Sequence, residues 1–265
     1  MPEGPEVRLT VDFLNKNLLH KTITKWIFCN GKYIEKDPEG YNTFDNFLPF
    51  IVEKICCKGK FIYFILINNE TKQKFYVFHS LMLTGRWQLY YDDKCKCFIE
   101  LSNGQSIWFR DTRGFGYFKF TNDENILTNK INKLGPDIMT REFTLPVFEN
   151  LINKYSKRNV TSFLMDQTII SGCGNYIKAE VLFYSKLSPL RKCSTFTIDE
   201  IELLYEGLRV IPRISYNNKG LTIKDYADEN GNKTKNILKI YGKKDACRTK
   251  TADGRITYWN PIIQS

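Results

Sequence analysis

The chain has 265 residues, 42% of them hydrophobic, with 39 lysines and arginines against 29 carboxylates for a net charge of +10. That composition supports ordinary globular cores, two by length, and excludes a disordered chain. No apolar run approaches the roughly 20 residues that span a bilayer, and the positive excess favours a polyanionic partner, nucleic acid or an acidic membrane surface.

The first seven residues, Met1-Pro2-Glu3-Gly4-Pro5-Glu6-Val7, carry the strongest chemical signal. If Met1 is removed, Pro2 becomes a secondary amine beside a carboxylate. An α-amino group titrates at about 7.7–8.0, against about 10.4 for lysine. It is therefore partly free base near neutrality and can attack an electrophilic carbon. Val7, Val11, Leu14 and Leu18 follow at helical spacing. Pro5 suits the first turn, and Glu3 and Glu6 suit the positive end of the helix dipole. The same residues also read simply as an acidic helix start. The N-terminus lacks a basic-then-apolar run, so no signal peptide is expected.

From about Thr22 to Phe120 the pattern is β-like. Strands are predicted over Lys60–Leu66, Phe75–Phe78, Gly85–Tyr91, Cys97–Leu101 and Ser106–Phe109, with Ser102-Asn103-Gly104-Gln105 as a hairpin turn. Short strands at such intervals suggest a sandwich or barrel. Beyond Thr121 the pattern turns helical: Thr144–Ile152 with Thr144 as cap and Pro146 in the first turn, then Ser162–Asp166, Tyr176–Lys186 and Asp199–Val210. Ser215–Asn236 is a long polar passage, of the kind that is either disordered or a functional lid. The tail Ile240–Ile256 reads as strand, turn and strand around Ala252-Asp253-Gly254. This divides the chain into a β domain to about residue 130 and a helical domain with a terminal hairpin.

Several smaller constellations bear on function. Lys60, before a buried-looking strand, is either a solvated strand end or a phosphate ligand. The loops containing Leu83-Thr84-Gly85 and Arg113-Gly114-Phe115-Gly116 combine glycine turns with bulky side chains. Leu83 and Phe115 read as core filling, and Arg113 as a surface partner of Asp111. Alternatively, Leu83, Arg113 and Phe115 form a wedge that enters a base stack. Gly172-Cys173-Gly174-Asn175 stands where two helices meet, and its backbone N–H groups could bind phosphate. Arg255, after the Asp253-Gly254 turn, has a donor fork suited to two phosphate oxygens. The eight cysteines form no CxxC pair and are expected to be reduced thiols in an intracellular protein.

Taken in order, Pro2–Val7, Gly59-Lys60, Leu83–Gly85, Arg113–Gly116, Leu134–Asp137, Leu164–Gln167, Gly172–Asn175 and Tyr241–Lys243 resemble the family of formamidopyrimidine-DNA glycosylase and endonuclease VIII. The resemblance spans nearly the whole chain. It implies an α+β fold: an N-terminal β-sandwich with a flanking helix (residues 1–130), a helix–two-turn–helix DNA-binding domain with the polar lid loop (131–236), and a β-hairpin finger (237–265). It implies a bifunctional DNA glycosylase and AP lyase that flips out oxidised bases, with Pro2, Glu3, Lys60 and Arg255 as catalytic residues. Glu6, Leu83, Arg113, Phe115, Gly174 and Asn175 would belong to the DNA-binding surface. The expected partner is damaged double-stranded DNA, with single strands as a further substrate, and the expected state is a monomer acting where the genome is held.

Departures from the family pattern refine this. Only Cys247 remains of the two cysteine pairs that other members use for zinc, so the finger resembles the zincless branch and neither metal nor organic cofactor is expected. That branch points to the Nei-like enzymes and to oxidised pyrimidines such as thymine glycol and 5-hydroxyuracil. Thr161 and Ile177 stand where many members have a phosphate-binding lysine and a tyrosine, with Tyr176 as a partial substitute. Two other readings stay open: a non-catalytic protein that binds damaged DNA, and an N-terminal-proline general base acting on a small carbonyl compound.

Overall fold

A computed structural model of the chain describes residues 1–220 and 237–265. These residues form two compact units: residues 1–2 and 6–132, and residues 3–5, 133–220 and 237–265.

The first unit is built on helix α1 (Gly4–Leu18) and an antiparallel sheet. Val7, Val11, Leu14 and Leu18 are all buried, as their spacing predicts, and join the core of the sheet. The strands are β1 (Thr22–Phe28), β2 (Phe50–Lys58), β3 (Phe61–Asn68), β4 (Lys74–Ser80), β5 (Gly85–Gln88), β6 (Cys95–Leu101), β7 (Ser106–Asp111) and β8 (Tyr117–Thr121). Two short helices, α2 (Lys32–Glu35) and α3 (Tyr41–Asp45), lie between β1 and β2. The hydrogen-bonding order is β5-β7-β6-β1-β2-β3-β4-β8. β5 and β8 stand at opposite ends of that order. Yet Trp87 of β5 and Phe118 of β8 both meet Trp26 of β1 edge-to-face, at 6.2 and 6.0 Å between ring centroids. The sheet therefore folds over on itself into two layers around an aromatic core. Phe64 and Phe120 pack on the same indole at 5.3 and 5.5 Å, and such edge-to-face pairs add to the burial of their large apolar area.

The predicted strands coincide with β3, β4, β6 and β7, and 102–105 is the β6–β7 turn. β5 is shorter than expected: it ends at Gln88, whose side-chain amide donates to the carbonyl of Tyr90, and Leu89–Tyr91 lie exposed. Helix α4 (Glu124–Asn132) has no strong sequence signal, because Leu127 is its one buried residue.

The second unit contains α5 (Leu145–Lys154), α6 (Val160–Met165), α7 (Asn175–Tyr184) and α8 (Ile198–Asn217), and the hairpin of β9 (Cys247–Lys250) and β10 (Ile256–Trp259). Thr144 precedes α5 as expected, but its side chain makes no capping bond; Asn159 caps α6 by accepting from Thr161 N–H at 2.8 Å. α8 opens with a capping box of Thr197 and Glu200, and Arg191 grips the Glu200 carboxylate with two bonds of 2.7 and 2.9 Å.

Two expectations are corrected here. α8 continues past Val210 to Asn217, because its buried face runs on through Leu204, Leu208, Pro212 and Ser215. A proline and a serine break the apolar pattern, although the Ser215 hydroxyl bonds Tyr176 in the interior. Ser215–Asn217 are thus helix rather than lid, and residues 221–236 of the predicted polar passage lie outside the described residues. In the tail, the strand starts at Cys247 and not at Ile240.

Candidate active site

In the first unit the relevant residues lie at the N-terminus and on three sheet-end loops. Pro2 is buried with Met1 still attached, and Glu6 is buried one turn into α1. Lys60 sits half-buried in the β2–β3 turn, and its ammonium makes no ion pair within the described residues. Leu83 is half-buried, whereas its neighbour Met82 is 44% exposed with a left-handed φ of 53°. Met82 therefore joins Leu83 as an apolar side chain at this loop tip, a role that its sequence position does not reveal. Phe115 is 52% exposed and Arg113 exposed, so neither fills the core.

Asp111 holds the two loops together. Its fully buried carboxylate accepts the Thr84 hydroxyl, the Gly116 N–H at 2.6 Å and the Arg113 N–H at 3.2 Å. The Arg113–Asp111 relation is thus a backbone bond that shapes the loop. Gly116 lies flat on Phe109: a Cβ there would stand 2.6 Å from the ring. An anchored carboxylate below and large side chains above give a loop whose tip is fixed while its apolar groups face outward.

In the second unit the arrangement centres on Glu3. Its side chain is 1% exposed, and its carboxylate accepts the N–H groups of Tyr176 at 3.0 Å and Ile177 at 3.2 Å, the free donors at the start of α7. Such donors and the helix dipole complement a negative charge. Gly4 N–H donates to Gly172 carbonyl at 2.9 Å. Gly174 has to be glycine, since a Cβ would overlap the Glu3 carboxyl group. Gln167 secures the turn by accepting from Gly172 N–H at 3.1 Å and donating to Cys173 carbonyl at 2.8 Å.

The sequence reading of 172–175 as a phosphate cradle is therefore corrected in part. The donors of Tyr176 and Ile177 face the chain's own glutamate. Asn175 uses one amide hydrogen on the Ile256 carbonyl, at 3.1 Å, which joins α7 to β10. Thr161 is buried against Asn159, and Tyr176 is buried with its hydroxyl on Ser215, so neither offers a phosphate contact.

Arg255 is exposed in the turn before β10. Below it, two buried charged groups that the sequence reading missed hold the hairpin and the segment leading into it. Lys178 donates to Asp253 at 2.6 Å with side-chain exposures of 0% and 3%. Burial disfavours the Asp253 charge, but the Lys178 ammonium and the Thr251 hydroxyl outweigh it and hold the carboxyl below the usual range. Burial likewise draws Lys178 below an ordinary lysine, against the pull of Asp253. Glu180, also buried, accepts from the N–H groups of Lys239, Ile240 and Tyr241 at 2.8, 2.9 and 2.7 Å. The only hint in sequence is that Lys178 and Glu180 stand in the first turns of an otherwise apolar helix. Among the described residues no three His, Cys, Asp or Glu side chains are grouped to hold a metal ion, and Cys247 is exposed. No described helix is long and apolar enough to cross a membrane.

A folded-over antiparallel sheet, a helical unit with a terminal hairpin, and a glutamate clasped at a helix start beside an N-terminal proline define an α+β protein of the helix–two-turn–helix class. Comparison with known proteins makes the assignment specific. Residues 1–118 match the formamidopyrimidine-DNA glycosylase N-terminal domain and residues 134–226 the H2TH domain of the same proteins. The chain is 30% identical to the formamidopyrimidine-DNA glycosylase of Ureaplasma parvum over 100% of both chains. It is 31% identical to that of Lactobacillus johnsonii, over 91% of this chain and 88% of the relative. Its fold is similar to the MutM (Fpg) protein of Thermus thermophilus, with a TM-score of 0.83 at 24% identity over 99% and 98% of the two chains. It is equally similar to the Lactococcus lactis Fpg in complex with abasic-site DNA, with a TM-score of 0.83 at 22% identity over 99% of each chain. The chain belongs to the formamidopyrimidine-DNA glycosylase family.

Proposed function

We propose that the protein is a bifunctional DNA glycosylase and AP lyase of base excision repair, acting on oxidised bases in duplex DNA. The observation that carries this reading is the fixed Glu3 carboxylate, held by Tyr176 and Ile177 N–H beside Pro2. After loss of Met1, the Pro2 nitrogen attacks C1′ of the flipped nucleotide, and the base departs as the iminium forms. Glu3 moves the proton that opens the sugar ring. The iminium then draws electrons from C2′, so β-elimination expels the 3′ phosphate and δ-elimination the 5′ phosphate.

Lys60, Asn175 and Arg255 are assigned to flanking phosphates, and Leu83, Arg113 and Phe115 to the space left by the flipped base. Gly174 makes room for Glu3, and Glu6 belongs to the same N-terminal helix start. Residues 1–130 are the catalytic domain, 131–236 the DNA-binding domain and 237–265 a finger that keeps its shape without metal. The protein acts as a monomer, in the compartment that holds the genome.

The finer reading is a preference for oxidised pyrimidines. It rests on the single hairpin cysteine, a feature similar to Nei-like enzymes, and on the composition of 218–236. There the apolar anchors for a lid over a purine are few: Leu221, Ile223 and Tyr226. Saturated pyrimidines have lost aromatic stacking and flip at lower cost. Single-turnover excision of thymine glycol, 5-hydroxyuracil and 8-oxoguanine, each opposite its normal partner, tests both levels. Excision of any of them with strand cleavage supports the enzyme. Fastest removal of 8-oxoguanine would place the specificity with the purine lesions.

A further inference from the structure

We propose that Lys178 is a positioning residue for Arg255: its buried ammonium fixes Asp253, and Asp253 fixes the turn from which the guanidinium projects. The proposal rests on the reading above that Arg255 meets a DNA phosphate.

The chain of contacts is continuous and lies within one unit. Lys178, one turn beyond Gly174 in α7, places Nζ 2.6 Å from Asp253 Oδ2. The other carboxylate oxygen accepts the Thr251 hydroxyl at 2.5 Å. That hydroxyl shares a hydrogen bond of 2.7 Å with the Thr257 hydroxyl across the hairpin. Thr251 N–H donates to the Arg255 carbonyl at 3.0 Å, and the Thr251 hydroxyl lies 3.1 Å from the same oxygen. Asp253, and through it Thr251 with its bonds to Arg255 and Thr257, are thus referred to one buried ammonium on a helix.

Physical considerations say why such a pair should serve position more than stability. A buried ion pair pays for its desolvation, and apolar residues of similar volume often hold a fold as well or better. An isolated two-stranded hairpin is marginal in water, and among the described residues the core cluster beneath this one has Ala179, Ile240 and Ala246 buried, with Phe183, Tyr241 and Tyr258 packed half-exposed against it. Apolar packing on that scale does not fix the direction of an exposed turn. A charged hydrogen bond with one allowed geometry does. The ammonium is fully buried, so it cannot itself meet a phosphate.

The test is the salt dependence of binding to a duplex with an abasic-site analogue, for wild type, Arg255→Ala, Lys178→Met, Asp253→Asn and the Arg255→Ala/Lys178→Met double variant. One lost phosphate contact lowers the slope of log K against log salt by about 0.9. At fixed salt the affinity should fall about ten-fold or more, as for other charge-assisted bonds. Lys178→Met is expected to lower the slope as Arg255→Ala does, and the double variant to be no weaker than either single one. Should Lys178→Met fail to fold, Asp253→Asn keeps the side-chain shape and is expected to give the same slope. The proposal is overturned by a wild-type slope in folded Lys178→Met or Asp253→Asn, by losses that multiply in the double variant, or by a wild-type slope in Arg255→Ala. Borohydride trapping of the wild type reads the glycosylase chemistry separately. A protein with Arg255- and Lys178-dependent slopes but no trapped adduct would contradict the enzyme reading and uphold this one.

Discussion

The sheet of the first unit and the hairpin of the second are both antiparallel β-structure, yet opposite forces hold them. The sheet closes on Trp26, Phe64, Trp87, Phe118 and Phe120, with the His79 ring stacked on Phe118. The hairpin rests on Lys178–Asp253, and the segment that leads into it on Glu180 with three backbone N–H groups. Hydrophobic burial is non-directional, and a core built on it tolerates exchange of similar volumes. Buried charge allows one arrangement and fails when a partner is lost. The difference suggests a scaffold that supplies stability and a charged segment that supplies aim.

The largest expected effect comes from the clasped glutamate. Glu3→Gln keeps the shape but cannot exchange a proton near neutrality, so single-turnover excision should fall by about 10²–10⁴-fold with duplex binding retained. Excision within a few-fold of wild type would make Glu3 a purely structural cap. Gly174→Ala should reproduce the loss from the other side of the contact. Its Cβ displaces the carboxyl group, at a stability cost of about 1–3 kcal/mol, measurable by urea unfolding.

The sheet has its own pH dependence. His79 accepts from Trp87 Nε1 at 3.1 Å and donates through Nδ1 to the Tyr117 carbonyl, and burial pushes its pKa down from 6.5 to about 3. Between these values the unfolded chain binds a proton that the folded one does not. Stability is therefore full above pH 6.5 and falls as the pH is lowered toward 3. Between pH 7 and pH 4.5 the loss amounts to about 3 kcal/mol. Urea unfolding at the two pH values should show this loss in the wild type and a shallower one in His79→Gln.

For the segment leading into the hairpin, Glu180→Gln should weaken its three backbone acceptor bonds, at about 1–3 kcal/mol. Amide exchange is expected to quicken at Lys239–Tyr241 and to stay unchanged in β2 and β3. A chelator should leave both patterns as they are, and zinc-dependent protection of the hairpin would overturn the metal-free account. The smallest effect on stability is expected at Phe115→Ala, within about 0.5 kcal/mol because the ring is exposed. A nucleotide-flipping probe such as 2-aminopurine should nevertheless report slower extrusion.

Sequence made the sheet and the first helix legible because alternation and helical spacing report burial directly. Val7, Val11, Leu14 and Leu18 are the clearest case. It also singled out Pro2–Val7 and Gly172–Asn175 as the most specific motifs, and within the second unit Gly4 bonds Gly172 and Glu3 lies against Gly174. It did not show that Glu3 takes the helix-start donors, since a free N–H looks the same whether a phosphate or a carboxylate will meet it. Lys178, Glu180 and Asp111 were missed for one reason: a buried charge resembles a solvated one until its partner is known, and the partners of Lys178 and Glu180 lie 75 and about 60 positions away. The extent of α8 was missed because Pro212 and Ser215 occupy its buried face.

The central claim is that the amine of Pro2 is the nucleophile, and peptide mapping of the borohydride-trapped adduct tests it most directly. Protein lacking Met1 is incubated with an abasic-site duplex and reductant, digested, and the sugar remnant located by mass. The remnant is expected on the N-terminal peptide, at the Pro2 nitrogen, and protein that retains Met1 is expected to form no adduct. A remnant on Lys60, or an adduct of equal yield with Met1 in place, would contradict the account.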